Sequence, residues 1–138
     1  MTDLERALET DVALSERQLM RHYGNTLEAC RQAGLTMQSA LIAPTVHRQT
    51  QHAVNFVLLE TRERTGFELR HLAAIAEARH LLQADTRDWQ TIEHANRSSP
   101  DAVWQRDGES WAVEFDAGAY AVSTLLEKVQ AFEAGFDG

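Results

Sequence analysis

Three carboxylates in the second half of the chain have a spacing that could hold a metal ion. Asp101, Glu114 and Asp116 lie in DAVWQRDGESWAVEFD, where two strand-like runs flank the dipeptide Asp107-Gly108. This dipeptide favours a type I′ hairpin turn, in which both central residues have a positive φ. The turn would place Asp101 directly opposite Glu114. Because like charges in that position repel each other, we expect a divalent cation to offset the repulsion.

The alternation of side chains along the two strands supports the same site, because successive residues of a strand point to opposite faces of the sheet. One face of the predicted hairpin is apolar and is expected in the core: Ala102, Trp104, Trp111, Val113 and Phe115. The other face carries the three acids with Gln105 and Ser110. Taken singly, each acid has an ordinary role as a turn, cap or surface residue. Taken together, they favour a site about as strongly as those roles.

Length and composition are those of an ordinary globular chain. Its 138 residues suffice for one domain, or for one domain with a small appendage. The formal net charge is −8, from 13 Lys and Arg against 21 Asp and Glu, which argues against a broad electrostatic grip on nucleic acid. A local basic strip, or a phosphate contact bridged by a metal, is compatible with that charge.

The cysteine content and the apolar runs indicate the compartment. Cys30 is the only cysteine, so the chain has no internal disulfide and fits a reducing environment. No apolar run approaches the length of a membrane span, and the acidic start MTDLERALETD has no signal-peptide core. We therefore expect a cytoplasmic protein without a membrane partner. The histidines lack zinc-site spacing, and His71 and the region of His80 are expected on a solvated face.

The first third of the chain is predicted to be helical. Apolar residues have helical spacing over 3–13, and Ser15 and Thr26 are typical N-caps of two further helices. The helix pair over 15–33 is compatible with a helix-turn-helix that binds DNA, and also with ordinary packed helices, which are commoner. Residues 35–49 would then form a connecting loop, or the wing of a winged helix.

The remainder of the chain predicts a small sheet with helices. After residue 49 we expect a helix over 50–64, a short strand over 67–72 leading into a helix, a loop over 84–100, the hairpin of 101–116 and a helix over 120–134. The fold class is therefore α/β of the α+β kind, with a helical part at 1–49 and a core at 50–138. So few strands leave an open sheet edge, which predicts a homodimer.

The hairpin sequence resembles two known groups of proteins. Pro100-Asp101, twelve intervening residues and then Glu114-x-Asp116 resemble the core of the PD-(D/E)xK nuclease superfamily. More narrowly, PDAVW followed by WAVEFDAGAYAVSTLLEKVQAF is similar to the replication-relaxation family of plasmid and mobile-element proteins. The upstream HAVNFVLLETRER resembles that family's helix introduced by a histidine, here His52. The resemblance covers about 50–136.

The resemblance implies a winged-helix N-terminal part and a restriction-endonuclease-like sheet, incomplete here, with a central hairpin and flanking helices. It implies that Asp101, Glu114 and Asp116 bind Mg²⁺ or Mn²⁺, which prefer clustered oxygen ligands. Such an ion would polarise a scissile phosphate and lower the pKa of an attacking water. Glu60 on the upstream helix would add a further acid.

One position departs from the nuclease pattern. The usual lysine, two residues after the glutamate, is Asp116, which cannot orient the water or neutralise developing negative charge. Lys128, the only lysine of the chain, lies on the following helix and is the candidate substitute. Its ordinary alternative is a helix-surface residue near acidic neighbours.

Two functional hypotheses follow. In the first, a DNA-associated protein with a nuclease-like core hydrolyses phosphodiesters with a metal, in plasmid or mobile-element replication or genome maintenance. In the second, the chain is a catalytically silent, dimeric regulatory module that binds DNA or protein. The opposed acids favour the first hypothesis. The missing lysine and the negative net charge favour the second.

Overall fold

Two small antiparallel sheets both pack against one long helix. The computed structural model describes residues 1–42, 51–93, 99–115 and 135–138. Within these ranges the helices are α1 (Asp3–Asp11), α2 (Glu16–Tyr23), α3 (Leu27–Gln32) and α4 (Gly66–Leu81). The strands are β1 (Ala13–Ser15), β2 (Thr36–Ile42), β3 (His52–Leu58), β4 (Trp89–Thr91), β5 (Ala102–Arg106) and β6 (Glu109–Val113). The predicted mixed α/β fold class is confirmed.

The first sheet has the strand order β1-β3-β2 and follows the chain order α1-β1-α2-α3-β2-β3. This combination agrees with the expected winged helix, in which β2 and β3 would be the wing strands and α2 and α3 the helix pair. The strand Thr36–Ile42 rules out a connecting loop over those residues and agrees with the alternative of a wing. The rest of the predicted wing, 43–49, lies outside the described residues.

Strand β3 replaces the helix predicted over 50–64, and that prediction is wrong. β3 is the central strand of its sheet and is paired along both edges, and its last three residues are buried on both faces. Val57 packs with the apolar residues of α1, α2 and α3, whereas Phe56 and Leu58 pack with those of α4. Apolar residues on both faces produce a spacing that a helix also satisfies. The predicted division at 49/50 falls between two paired strands of this sheet.

Helix α4 runs unbroken through the strand predicted over 67–72, so that prediction is also wrong. Thr65 caps the helix by accepting a hydrogen bond from the backbone N–H of Glu68. Both sheets contact one buried stripe of the helix: Leu72 packs toward the first sheet and Ile75 toward the second. Phe67 is 67% exposed, so its alternation with Leu69, which predicted a strand, does not mark a buried face.

The second sheet has the order β4-β5-β6 and contains the predicted hairpin. Asp107 and Gly108 form the turn with φ of +50° and +80°, and Trp104 pairs with Trp111 as predicted. Trp111 is nevertheless 36% exposed, on the edge strand, and its indole N–H donates to an exposed glutamate, so its prediction as a core residue is wrong. The loop predicted over 84–100 is wrong in part, because it contains a short 3₁₀ helix and β4.

The last described residues of the chain pair with the outer edge of the second sheet. Asp137 and Gly138 run along the outer edge of β6, where the backbone N–H of Asp137 donates to the carbonyl of Ser110 at 2.7 Å. The helix predicted over 120–134 lies outside the described residues. None of the described helices is both long and apolar enough to cross a membrane.

Candidate functional site

The open end of the hairpin brings two of the predicted acids to one place. Asp101 directly precedes β5, and Glu114 directly follows β6. The backbone N–H of Asp101 donates to the carbonyl of Val113 at 2.9 Å, which continues the pairing of the two strands toward the predicted site. Glu114 is half-buried, and its Oε2 atom is inaccessible to solvent.

The Asp101 side chain is held by protein groups on both of its oxygens. Only 5% of the residue is exposed. Its Oδ2 accepts a hydrogen bond from the backbone N–H of Phe115 at 2.8 Å, and its Oδ1 lies 3.0 Å from Nε2 of His71 on α4. This pair fastens the hairpin to α4. The expectation that His71 lies on a solvated face is wrong, because its side chain is only 28% exposed and faces this carboxylate.

The described residues alone do not make a metal site. Across the described ranges, no group of three or more His, Cys, Asp or Glu side chains is arranged to hold an ion. A cation at Asp101 would compete with His71 and with the Phe115 N–H for the same two oxygens. Asp116 and Lys128 lie outside the described residues.

Glu60 does not join these acids. It lies in the segment after β3 rather than on a helix, and its Oε1 accepts a hydrogen bond from Nε of Arg64 at 2.5 Å. The guanidinium of Arg64 is 4% exposed and also meets Glu93 at 2.6 Å and Glu68 at 3.6 Å. Burial acts to lower the pKa of Arg64, but hydrogen bonds and charge from Glu60 and Glu93 outweigh it and raise that pKa. Glu60 thus has a structural partner.

A second surface, not predicted as a site, lies between α2 and the wing strands. Ser15 begins α2 with a capping box, because its hydroxyl accepts from the N–H of Gln18 while the Gln18 side chain accepts from the N–H of Ser15. Arg17 and Arg21 are one turn apart on this helix, and both are exposed. They line a groove with these residues: Glu16, Met20, Ala53, Val54 and Asn55. We call Arg17 and Arg21 the α2 arginine pair.

The α2 arginine pair differs from most arginines in the structure. Neither member makes an ion pair or hydrogen bond with any part of the chain that is described. Seven other described arginines have a carboxylate within 4 Å: Arg6, Arg31, Arg62, Arg64, Arg79, Arg87 and Arg106. The acid inside the groove, Glu16, accepts a hydrogen bond from the amide of Asn55 at 3.3 Å. As far as the described ranges go, the two guanidinium groups are open to an external anion.

A different face of α2 is tied to α4 by buried polar groups that the sequence did not reveal. Arg79 of α4 makes two hydrogen bonds to Asp11, each of 2.8 Å, and both residues are buried. Burial raises the pKa of Asp11, although Arg79 acts to lower it. Nearby, His22 of α2 lies 2.9 Å from Glu77 of α4. The identification of α4 as one long helix would have suggested these partners.

Comparisons with protein-family models, with curated proteins and with solved structures each found no match to this chain. The resemblance to the replication-relaxation family and to the nuclease superfamily therefore stays a prediction from the hairpin sequence.

Proposed function

We propose that the protein binds DNA through its winged-helix unit and that the α2 arginine pair contacts the phosphate backbone. The observation that carries the proposal is the position of Arg17 and Arg21, side by side on the first helix of the pair and without a carboxylate partner in the described part of the chain. In helix-turn-helix proteins, the first helix crosses the backbone and the second lies in the major groove. This corresponds to the silent, DNA-binding alternative of the two functional hypotheses.

The charge distribution supports a local contact rather than a broad one. Arginine binds phosphate through charge-assisted, often bidentate hydrogen bonds. A net charge of −8 repels DNA from most of the surface, so the complex depends on a small basic area. Helix α3 (Leu27–Gln32) presents Glu28, Ala29 and Gln32 to solvent, and we propose that these side chains face the base edges.

Salt dependence of binding tests this proposal. We expect a labelled mixed-sequence duplex to bind at 50 mM salt by fluorescence anisotropy, with log Kd rising linearly with log salt. Because each neutralised phosphate contributes about 0.9 to that slope, the double variant Arg17→Gln/Arg21→Gln should bind more weakly and reduce the slope by about 1.8.

The matched control removes two equally exposed arginines elsewhere, in the double variant Arg87→Gln/Arg106→Gln. This control changes net charge equally, and we expect its slope to equal that of the wild type. Equal effects of the two double variants, or no binding by the wild type at 50 mM salt, would contradict the proposal.

Metal-dependent phosphodiester hydrolysis is the second candidate function. The observation that favours it is the meeting of Asp101 and Glu114 at one end of the hairpin. With Asp116 as a third ligand, these residues would hold Mg²⁺ or Mn²⁺, and the plasmid or mobile-element setting follows from the sequence resemblance. Plasmid nicking that requires Mn²⁺ and disappears in folded Asp101→Ala and Glu114→Ala variants would establish this function. Absence of divalent binding by calorimetry at millimolar metal would remove it.

A homodimer is proposed on the evidence of sheet edges. Among the described strands, β2 is paired on one side only, and its Leu41 is exposed. A second copy pairing along β2 would cover this edge. Light scattering should give twice the monomer mass, and a strict monomer would contradict the proposal. The cytoplasm is the proposed location, since the only cysteine of the sequence, Cys30, is buried and a reducing compartment suits a chain without an internal disulfide.

A further inference from the structure

A polar network with a buried centre and half-buried outer members, here called the polar clasp, joins α2 to α4 and to the end of α1. Its members are Asp11, Gln18, His22, Tyr23, Glu77, Arg79 and His80. The clasp lies on a different face of α2 from the arginine pair proposed to contact DNA. Because α2 carries both sets of residues, a change in the hydrogen bonds of the clasp also affects the position of Arg17 and Arg21.

The fixed centre of the clasp is Arg79. Its Nε and Nη2 atoms donate to the two oxygens of Asp11, and its Nη1 donates to the carbonyl of Ala84 at 2.9 Å. Nη2 also lies 3.2 Å from the Tyr23 hydroxyl and 3.2 Å from Nε2 of His80. The permanently charged guanidinium of Arg79 therefore lies beside Nε2 of His80.

The partners of His80 define its protonation state. Its Nδ1 lies 2.6 Å from the carbonyl of Ala76, which can only accept, so Nδ1 carries a proton. Its Nε2 lies 2.7 Å from the hydroxyl of Tyr23 and faces the Arg79 guanidinium, both of which can donate. Nε2 therefore acts as an acceptor, and the imidazole is neutral. A proton on Nε2 would displace the Tyr23 donor and place a second cation beside Arg79.

The other groups around His80 shift its pKa in opposite directions. Burial lowers the pKa of His80, the Arg79 cation lowers it further, and the hydrogen bond to Ala76 and the charge of Asp11 act to raise it. The ring of His22 stacks on that of His80, with centroids 4.2 Å apart, and His22 is in turn held by Glu77. The cavity beside Tyr23 and Arg79 is lined by further charged groups: Asp3, Arg6, Asp85 and Arg87. The net effect is that the neutral form is favoured in the folded protein.

We infer that protonation of His80 opens the polar clasp, releases α2 from α4 and thereby weakens DNA binding. The last step rests on the proposed function of the α2 arginine pair. The first two steps stand on the clasp geometry alone. The unfolded chain takes up a proton on His80 near pH 6.5, whereas the folded chain does so only at lower pH. Acid therefore favours the state in which His80 is released. The stability that depends on neutral His80 is therefore fully present above pH 6.5 and is lost as the pH falls below that value.

Urea unfolding between pH 7.5 and 5.5 tests the clasp without DNA. We expect the folding equilibrium constant of the wild type to fall by up to about ten-fold at pH 5.5, since the unfolded histidine is then largely protonated. His80→Gln, which can accept from Tyr23 but cannot titrate, should remove most of this decrease. His52→Gln, an exposed histidine on β3, is the control and should keep it. If His80→Gln is poorly folded, Tyr23→Phe should also reduce the decrease, because it removes the donor to Nε2.

Anisotropy with the labelled duplex over the same pH range tests the link to binding. We expect the wild-type affinity to fall together with its stability, and that of His80→Gln to change less. An equal pH dependence in the wild type and His80→Gln, in either measurement, would overturn the inference while DNA binding at pH 7.5 stands. No binding by the wild type at pH 7.5 would overturn the proposed function, and the urea measurement would still decide whether the clasp opens.

Discussion

Asp101 illustrates how the surroundings of one side chain set its role. The sequence placed it correctly at the open end of a hairpin, because an Asp-Gly turn is a local signal with a fixed register. It did not reveal His71, since that contact depends on α4 packing against the second sheet. The candidate site was therefore predictable in its two acids, and not in the histidine that engages one of them.

Removing the Asp101 carboxylate should destabilise the protein whether or not a metal binds. Asp101→Ala leaves the backbone N–H of Phe115 without its acceptor and His71 without its partner. We expect the free energy of unfolding to fall by about 1–3 kcal/mol, measured by urea titration. Asp88→Ala, at an exposed carboxylate, is the control and should change it by less than about 0.5 kcal/mol. A change for Asp101→Ala as small as that of the control would mean that the buried contacts contribute little.

The hairpin turn depends on one glycine. Gly108 has a φ of +80°, a conformation that a residue with a Cβ adopts only at a cost. We expect Gly108→Ala to lower the free energy of unfolding by about 1 kcal/mol, although an added Cβ meets no atom within 4 Å. Gly135→Ala, also in open space but without a positive φ, is the matched control. Equal stabilities of the two variants would show that the turn tolerates strain.

At the scale of elements, the sequence predicted the helix caps correctly, whereas it did not predict the strand that is buried on both faces. The caps Ser15 and Thr26 begin α2 and α3 as predicted, because a cap needs only its own first turn. Strand β3 was read as a helix because tertiary packing covers both of its faces. Helix α4 was divided wrongly because Phe67 and Leu69 alternate as they would in a strand, although only Leu69 is buried.

The contact between α1 and α4 should depend on the charged pair Asp11 and Arg79. Arg79→Met leaves a buried carboxylate without its cation, and we expect a loss of about 3–5 kcal/mol in the free energy of unfolding. The comparison is Arg6→Met, which breaks the exposed pair with Asp3 and should cost less than about 1 kcal/mol. Urea titration of both variants checks this. Similar losses in the two would contradict the importance of burial.

At the scale of the whole molecule, acid should act on the fold through Glu77. Burial acts to raise the pKa of Glu77, but hydrogen bonds from His22 and Gln18 outweigh it and lower that pKa below its ordinary value of 4.5. A carboxyl of this kind stabilises the fold above pH 4.5 and loses that contribution as the pH falls. We expect the urea midpoint to fall between pH 5 and pH 3.5, and to fall less in Glu77→Gln. An identical profile in the variant would contradict this assignment.

The contact of α4 with both sheets has a consequence for how the molecule unfolds. Neither sheet can separate from α4 without exposing apolar side chains, so the two sheets and α4 should unfold as one cooperative unit. Backbone amides in the middle of α4, around Leu72 and Ile75, should then exchange their hydrogens with solvent only through global unfolding. Their exchange free energies, measured by NMR, should equal the free energy of unfolding from urea, whereas those of the short helix α3 should be lower. One helix thereby sets the stability of both the surface proposed to bind DNA and the acidic hairpin.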